Sequence, residues 1–286
     1  MKVILYHVEI EMTLKALLYE KGISKSSLSA IKQNGALFVN EESVTVRKML
    51  YPGDQVKVHL PIEQPSHNLL PFQMKLQILF EDEWFIIISK PANVSTSPSR
   101  DHRHGSLVEG VLYYMHQNNE QTIPHIVTRL DRGTSGIVIF AKHQLLHHMI
   151  SNSDISKYYL AIVHGVVGEA NGDIRLPIGR APHSIIEREV SENGKFAHTS
   201  FNRINDDGQY SLLKLQLFTG RTHQIRVHLS HIGHPIVGDS LYGFEDEEVN
   251  HQLLHCNNVI FIHPITHEKI NIIDEMPENF VLRGVL

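Results

Sequence analysis

The chain has a single cysteine, Cys256, in 286 residues. That excludes an internal disulfide framework and a thiolate metal cluster, and it fits a reducing compartment in which Cys256 is a small core residue. No run approaches the ~18 uninterrupted apolar residues of a membrane-spanning helix. The opening stretch carries acids within its first dozen positions and no apolar core followed by a small-residue cleavage site, so it does not read as a secretory leader. The expectation is a cytoplasmic protein with no membrane partner. A large positive charge is also missing: the formal net charge is −5, which argues against a general polyanion binder. The distribution is uneven, however. Between Met12 and Leu60, seven Lys/Arg residues, Lys25 and Lys32 among them, stand against four acids, so this segment is locally basic and a candidate contact for nucleic acid. Histidine is plentiful, at 21 residues, and charging it as pH falls raises affinity for a polyanion.

The apolar spacing divides the chain into a small and a large part. Leu14, Leu17 and Leu18, then Leu28 and Ile31, predict two short helices broken at Gly22 and restarted with Ser24 as N-cap. Strands are expected at Ala36 to Asn40, around Val44 and Val46, and at Val56 to Leu60 after the turn Pro52-Gly53-Asp54. This is an αα-then-β module over 1–62. The stretch from Pro61 to Asn68 lacks periodicity and holds two prolines, so a linker is set at 63–74. In the large part, 75–286, paired strands are expected at Leu76 to Phe80 and Trp84 to Ser89, with helices at Leu107 to Gln117, Gln144 to Ser151 and Thr222 to Ile232. Further strands are expected at Ile137 to Ala141, Tyr158 to Val163 and 209–219. The fold class is α+β with a mainly antiparallel mixed sheet, and there are no internal repeats.

The chemistry concentrates in Arg129-Leu130-Asp131-Arg132-Gly133-Thr134-Ser135-Gly136. One carboxylate lies among guanidinium groups and glycines, just ahead of an apolar strand. A carboxylate kept ionised and oriented by cations is a nucleophile or a base; the same residues would also serve as a surface turn. A second concentration is Arg221-Thr222-His223-Gln224-Ile225-Arg226, where two arginines five apart can clamp a phosphate or hold a carboxylate. A third is Lys157-Tyr158-Tyr159, where strand alternation lets only one ring face a site and stack on a base.

Four motifs occur in one order: Arg-Leu-Asp-x-x-Thr-Ser-Gly at 129–136, Lys-x-Tyr at 157–159, Thr-Gly-Arg-Thr-His-Gln-Ile-Arg at 219–226 and His-Pro-Ile-x-Gly-Asp-x-x-Tyr-Gly at 234–243. Together they resemble the RluA/RluD family of RNA pseudouridine synthases, over about residues 75 to 286, with Glu81-Asp82 and Lys90-Pro91 matching its opening strands. The N-terminal module, with Gly35-x-x-x-Val39-Asn40 and Pro52-Gly53-Asp54, is similar to an S4 RNA-binding domain.

The resemblance implies a pseudouridine synthase fold acting on uridines of structured RNA, ribosomal large-subunit RNA before transfer RNA, by base flipping. It implies Asp131 as catalyst, nucleophile at C1′ or base at C2′, Arg226 as its ion-pair partner, and Tyr159 stacked on the uracil. Arg129, Arg221, His223, Gln224, Lys25 and Lys32 are then candidate RNA contacts. The chemistry calls for no cofactor and no metal. Thr128 and Asn93 depart from the family pattern, which has His and Gly there; Asn tolerates positive φ, so the turn at 93 can survive.

Two other readings fit some of these residues. His223, His228, His231 and His234 with Asp239 raise a metal-dependent hydrolase, but no His-Glu-x-x-His motif occurs, and residues five apart diverge on a helix. A non-catalytic RNA-binding factor would be free to lose Asp131, Tyr159, Arg221 and Arg226, and all are present.

Overall fold

The computed structural model describes residues 2–66, 69–99, 102–120, 122–244, 249–277 and 280. Residues 67–68 of the expected linker, and 278–279 and 281–286 at the end of the expected large domain, lie outside the described residues.

The chain begins with a strand the sequence reading did not anticipate: β1, Val3–His7, then the two-residue β2, Met12–Thr13. Thr13 Oγ1 accepts the Ala16 amide and starts α1, Leu14–Glu20, and Ser24 Oγ accepts the Ser27 amide and starts α2, Lys25–Asn34. Gly22, at φ 79°, turns the chain between them. Next come β3, Ala36–Val39, β4, Glu42–Ser43, β5, Met49–Leu50, and β6, Gln55–His59. The strand expected at Val44 and Val46 lies earlier. Asn40 and Glu41 both take positive φ and close a two-residue hairpin, so pairing with β3 ends at Ser43 and both valines become partly buried packing residues. The module is therefore not αα-then-β: β1 is an outer strand of the sheet β1-β6-β3-β4.

The large part holds β7, Gln77–Glu81, β8, Phe85–Lys90, α3, Leu107–Gln117, β9, His125–Ile126, β10, Ser135–Ala141, and α4, Gln144–Ser151. There follow β11, Ser156–His164, β12, Asn171–Ile174, β13, Ile178–Arg180, β14, Arg188–Val190, β15, Thr199–Asp206, and β16, Tyr210–Leu217. The last elements are α5, Gln224–His231, β17, Leu254–Ile262, and β18, Lys269–Ile273. The helix α3 has the predicted bounds because Ser106 and Glu109 form a capping box.

Eight strands run in the order β12-β15-β16-β11-β17-β10-β8-β7, with β18 added to β17 and β9 to β10. The sheet is mixed and mainly antiparallel, as expected; β10 and β17 are its parallel neighbours. Strand β17 is a seam. It lies between β11 and β10 and joins the half containing β7 and β8 to the half containing β16, β15 and β12. All seven residues of β10 are buried, which is why that segment reads as a continuous apolar run. The N-terminal module shares a continuous apolar core with the large part. Around their junction Glu63 accepts the Gln144 amide at 3.0 Å and pairs with His125 at 2.9 Å, and the His143 ring meets the Pro61 carbonyl.

Candidate active site

The Asp131 turn is pinned from several sides. Thr134 N donates to the Asp131 carbonyl, Thr96 Oγ1 donates to the Leu130 carbonyl, and Gln252 Nε2 donates to Thr134 Oγ1. Lys90, fully buried at the end of β8, donates to the carbonyls of Pro91, Val94 and Arg132 at 2.9, 2.8 and 3.1 Å. Burial pushes its pKa down to about 7, against the pull of the Asp131 carboxylate. Gly136 sits at φ 109°, and a Cβ there would lie 2.3 Å from the Cys256 carbonyl oxygen across the parallel pair. Only glycine lets β10 and β17 meet so closely directly behind the turn.

Helix α5 brings the countercharge. Arg226 Nη1 donates to Asp131 Oδ2 at 3.1 Å, while Nε and Nη2 grip both oxygens of Asp239 at 2.7 and 2.8 Å. Burial works against the guanidinium's charge, and Asp239, then Asp131, more than offset it, so the pKa of Arg226 is raised. The guanidinium also lies 4.9 Å from the Tyr242 ring centre. Asp239 in turn accepts the amides of Leu241 and Tyr242. His223, in left-handed conformation at the start of α5, has Nε2 3.8 Å from Asp131 Oδ2 and Nδ1 2.8 Å from the Tyr242 hydroxyl. Burial, the main cause of its lowered pKa, favours a neutral ring and outweighs the upward pull of Asp131.

Asp131, Tyr159, Arg129, Arg221, His223, Gln224 and Arg226 all line one cleft of about 350 Å³, a volume at the lower end for a small-molecule pocket. Tyr159 is the ring of the pair that faces it. A register shift between Tyr158 and Tyr159 accompanies the turn inward, and Tyr158 instead meets Lys214. Burial, with Cys256 and Asp131 adding to it, holds Tyr159 well above the usual phenol range, so it remains a neutral phenol. Burial likewise pushes the Cys256 thiol up to about 12, and it is an inert core group beneath that ring.

Two expectations change. The arginines flanking Asp131, which the local reading took as its cations, are not its partners: Arg129 and Arg132 are exposed, and the ion pair is made by Arg226 from 95 positions away, as the resemblance implies. Gln224 is buried with its amide fully engaged, donating to the His198 carbonyl and Thr199 Oγ1 and accepting from Thr219 Oγ1 and the Arg221 amide, so it shapes the rim rather than meeting a ligand. Lys25 and Lys32 lie exposed on α2, away from the cleft lining. The histidines of the metal reading are used elsewhere: His228 bonds Thr199 and the Leu176 carbonyl, and His234 bonds the His164 carbonyl. Among the described residues no three His, Cys, Asp or Glu side chains gather as a metal site. Thr128 is buried, with Oγ1 accepting the Ile139 amide, and Asn93 takes φ 64°, the conformation a glycine would supply.

Lys90 and Tyr242 have no role in the site on sequence reasoning, and Asp239 enters only in the metal reading. All three stand inside the recognised motifs, and the available signal was Asp239 following Gly238; in the structure that glycine takes φ 74°, and a Cβ added there would lie 2.2 Å from the His251 carbonyl oxygen, so the turn is tightly built.

The cleft combines an arginine-paired aspartate with a tyrosine face, an arrangement suited to nucleophilic or base chemistry beside a stacked ring. The match to known proteins agrees. Residues 84–231 match the family model described as RNA pseudouridylate synthase. The chain is 42% identical over 273 residues to the uncharacterised RNA pseudouridine synthase YjbO of Bacillus subtilis, covering 94% of this chain and 96% of that one. It is 31% identical over 276 residues to ribosomal large subunit pseudouridine synthase D of Xanthomonas campestris, covering 90% and 82%. The structure of human RNA pseudouridylate synthase domain containing 1 shares the fold, with a TM-score of 0.59 at 23% identity over 74% of this chain and 86% of that one. The chain belongs to the RNA pseudouridylate synthase family, of the RluA type, and is an isomerase that converts uridine to pseudouridine in RNA.

Proposed function

We propose that this enzyme isomerises specific uridines of large-subunit ribosomal RNA in the cytoplasm, with Asp131 as the catalytic group. The observation that carries the reading is the cleft in which Asp131, paired to Arg226, shares its walls with the Tyr159 ring. A uridine in a folded RNA must first leave its stack, at a few kcal/mol. Stacking of its base on Tyr159 returns about 1–3 kcal/mol. Asp131 then acts on the ribose, as nucleophile at C1′ or as base at C2′, and the N1–C1′ bond breaks. The uracil turns, C5 bonds to C1′, C5 gives up its proton and N1 ends protonated, so the product is an isomer of the substrate. Both routes need a carboxylate oriented toward the ribose, and Arg226 holds one oxygen of Asp131 at 3.1 Å. Arg129 and Arg221, exposed at the rim, meet the RNA around the extruded nucleotide. His223 holds the cleft wall beside Asp131.

The N-terminal module, 1–62, acts as an S4-like RNA-binding domain, supported by its exposed Lys25 and Lys32 on α2. The ribosomal target draws on the name of the Xanthomonas relative; transfer RNA is the alternative. Carbodiimide adduct mapping by primer extension, on total RNA from cells with and without the gene, tests the substrate: a stop in 23S-type RNA that vanishes with the gene is expected. An Asp131→Asn variant should lose at least about 10³-fold in rate, given that a charged catalyst is removed, with RNA affinity within about twofold. A fully active variant would sink the role of Asp131.

A further inference from the structure

The strands β13 and β14 form a hairpin outside the main sheet, packed against α5, and its tip carries the most exposed apolar side chain among the described residues, Ile185 at 77%, next to Ile186 at 54%. A floppy loop would expose such residues by default. This tip is ordered by its own hydrogen bonds. Ser184 Oγ accepts the amides of Ile186 and Glu187, Arg188 Nη1 donates to the carbonyls of Ile186 and Glu187, and Ala181 N donates to the Glu187 carbonyl. Two isoleucines are thus held out toward solvent in a preset shape.

The hairpin is tied directly to the catalytic centre. Arg188 N donates to the Tyr242 hydroxyl at 2.8 Å, that hydroxyl meets His223 Nδ1 at 2.8 Å, and His223 Nε2 faces Asp131. The segment after the hairpin and the cleft rim carry exposed Lys195, Phe196 and Arg221, with one exposed acid, Glu192. Lys195 pairs with Ile178 of β13, and the carbonyl of exposed Phe196 accepts from Nε of Arg221 on the cleft rim. On the hairpin itself, Arg180 and Arg188 are balanced by Glu187 and Glu189. The tip therefore brings apolar surface without net charge, which suits the inside of a base stack and not a phosphate ridge.

Resting on the reading of the enzyme as acting on folded RNA, we infer that Ile185 and Ile186 form an apolar wedge that enters the RNA stack beside the extruded uridine. The wedge replaces stacking lost when the base leaves, while Lys195 and Arg221 hold the phosphates between it and the cleft. Tyr242 and His223 fix its position relative to Asp131.

The test compares wild type with Ile185→Ser/Ile186→Ser and with Ile185→Leu/Ile186→Leu, on two substrates: the RNA identified by mapping, purified in folded form from cells lacking the gene, and a short unstructured oligonucleotide carrying the same uridine. The serine variant should lose about 10- to 100-fold in kcat/KM on the folded RNA, the scale of one unstacking step, and less than about threefold on the oligonucleotide, where the stack is already open. The leucine variant should retain activity on both. The dependence of KM on salt should keep its slope in the serine variant, since no phosphate contact is removed. Equal loss on both substrates, no loss on the folded RNA, or a shallower salt slope would overturn the wedge. A wild-type enzyme that modifies neither RNA would overturn the substrate reading beneath it.

Discussion

Arg226 is gripped by two carboxylates that differ in freedom. Asp239 has a side chain only 1% exposed, offers both oxygens and caps two further amides, whereas Asp131 is 26% exposed and gives Arg226 a single bond. The strong pair thus positions the guanidinium, and the weak one leaves Asp131 an oxygen for the ribose step proposed above. Asp239, buried and occupied by Arg226 and two amides, is assigned a positioning role. Asp239→Ala should destabilise the fold by about 3–5 kcal/mol, because it removes one partner of a buried ion pair, read as a lower urea midpoint. Asp239→Asn, which keeps the shape and an acceptor, should fold and lose up to about 100-fold in kcat through a displaced Arg226, with KM little changed. A variant with altered KM and normal kcat would assign Asp239 to RNA binding instead.

Among elements, β10 meets β17 closely at Gly136. Gly136→Ala forces a Cβ to within 2.3 Å of backbone at a φ of 109°, and neither strand can retreat. A loss of about 3 kcal/mol or more is expected from the strain and overlap together, seen as insoluble or early-melting protein. At Gly133 the added Cβ would meet Gln252 Oε1, the end of a movable side chain. Gly133→Ala should therefore cost only about 1 kcal/mol, the bond from Gln252 to Thr134; equal urea midpoints for the two variants would refute the distinction. These elements also mark what was legible beforehand. Helices α2 and α3 were, because Ser24 and Ser106 cap them locally. Strand β1 was not, since its apolar residues acquire meaning only opposite Gln55 to His59. The short polar strands β12, β13 and β14 carry no alternation to read. Asp131, Tyr159 and Arg226 could be named from motifs, but the ion pair of Arg226 with Asp239 depends on how a turn folds back on α5, which spacing does not encode.

At the scale of the whole molecule, Glu63 fastens the chain after the N-terminal module to α4 and β9. Burial alone would raise its pKa, but the His125 bond, the charges of His143 and His125 and the Gln144 amide prevail, and the value lies below its ordinary 4.5. A carboxylate depressed by folding stabilises above its unfolded pKa and loses that contribution as pH falls through its folded one. Glu63→Gln should thus lower the urea midpoint at pH 7, by about 1–2 kcal/mol in stability, and the gap should close as pH drops below 4.5; a gap independent of pH would refute the assignment. The seam strand has a different kind of consequence. Asp131 immediately precedes β10 on one side of β17 and Tyr159 belongs to β11 on the other, yet β17 begins only at Leu254. During synthesis each half of the sheet can form early from near neighbours, but their union waits for a partner more than a hundred positions from β10. A nascent chain ending before Leu254 would carry Asp131, Tyr159, Arg226 and Asp239 and still lack the strand that joins their halves of the sheet, so the cleft can close only after β17 has left the ribosome.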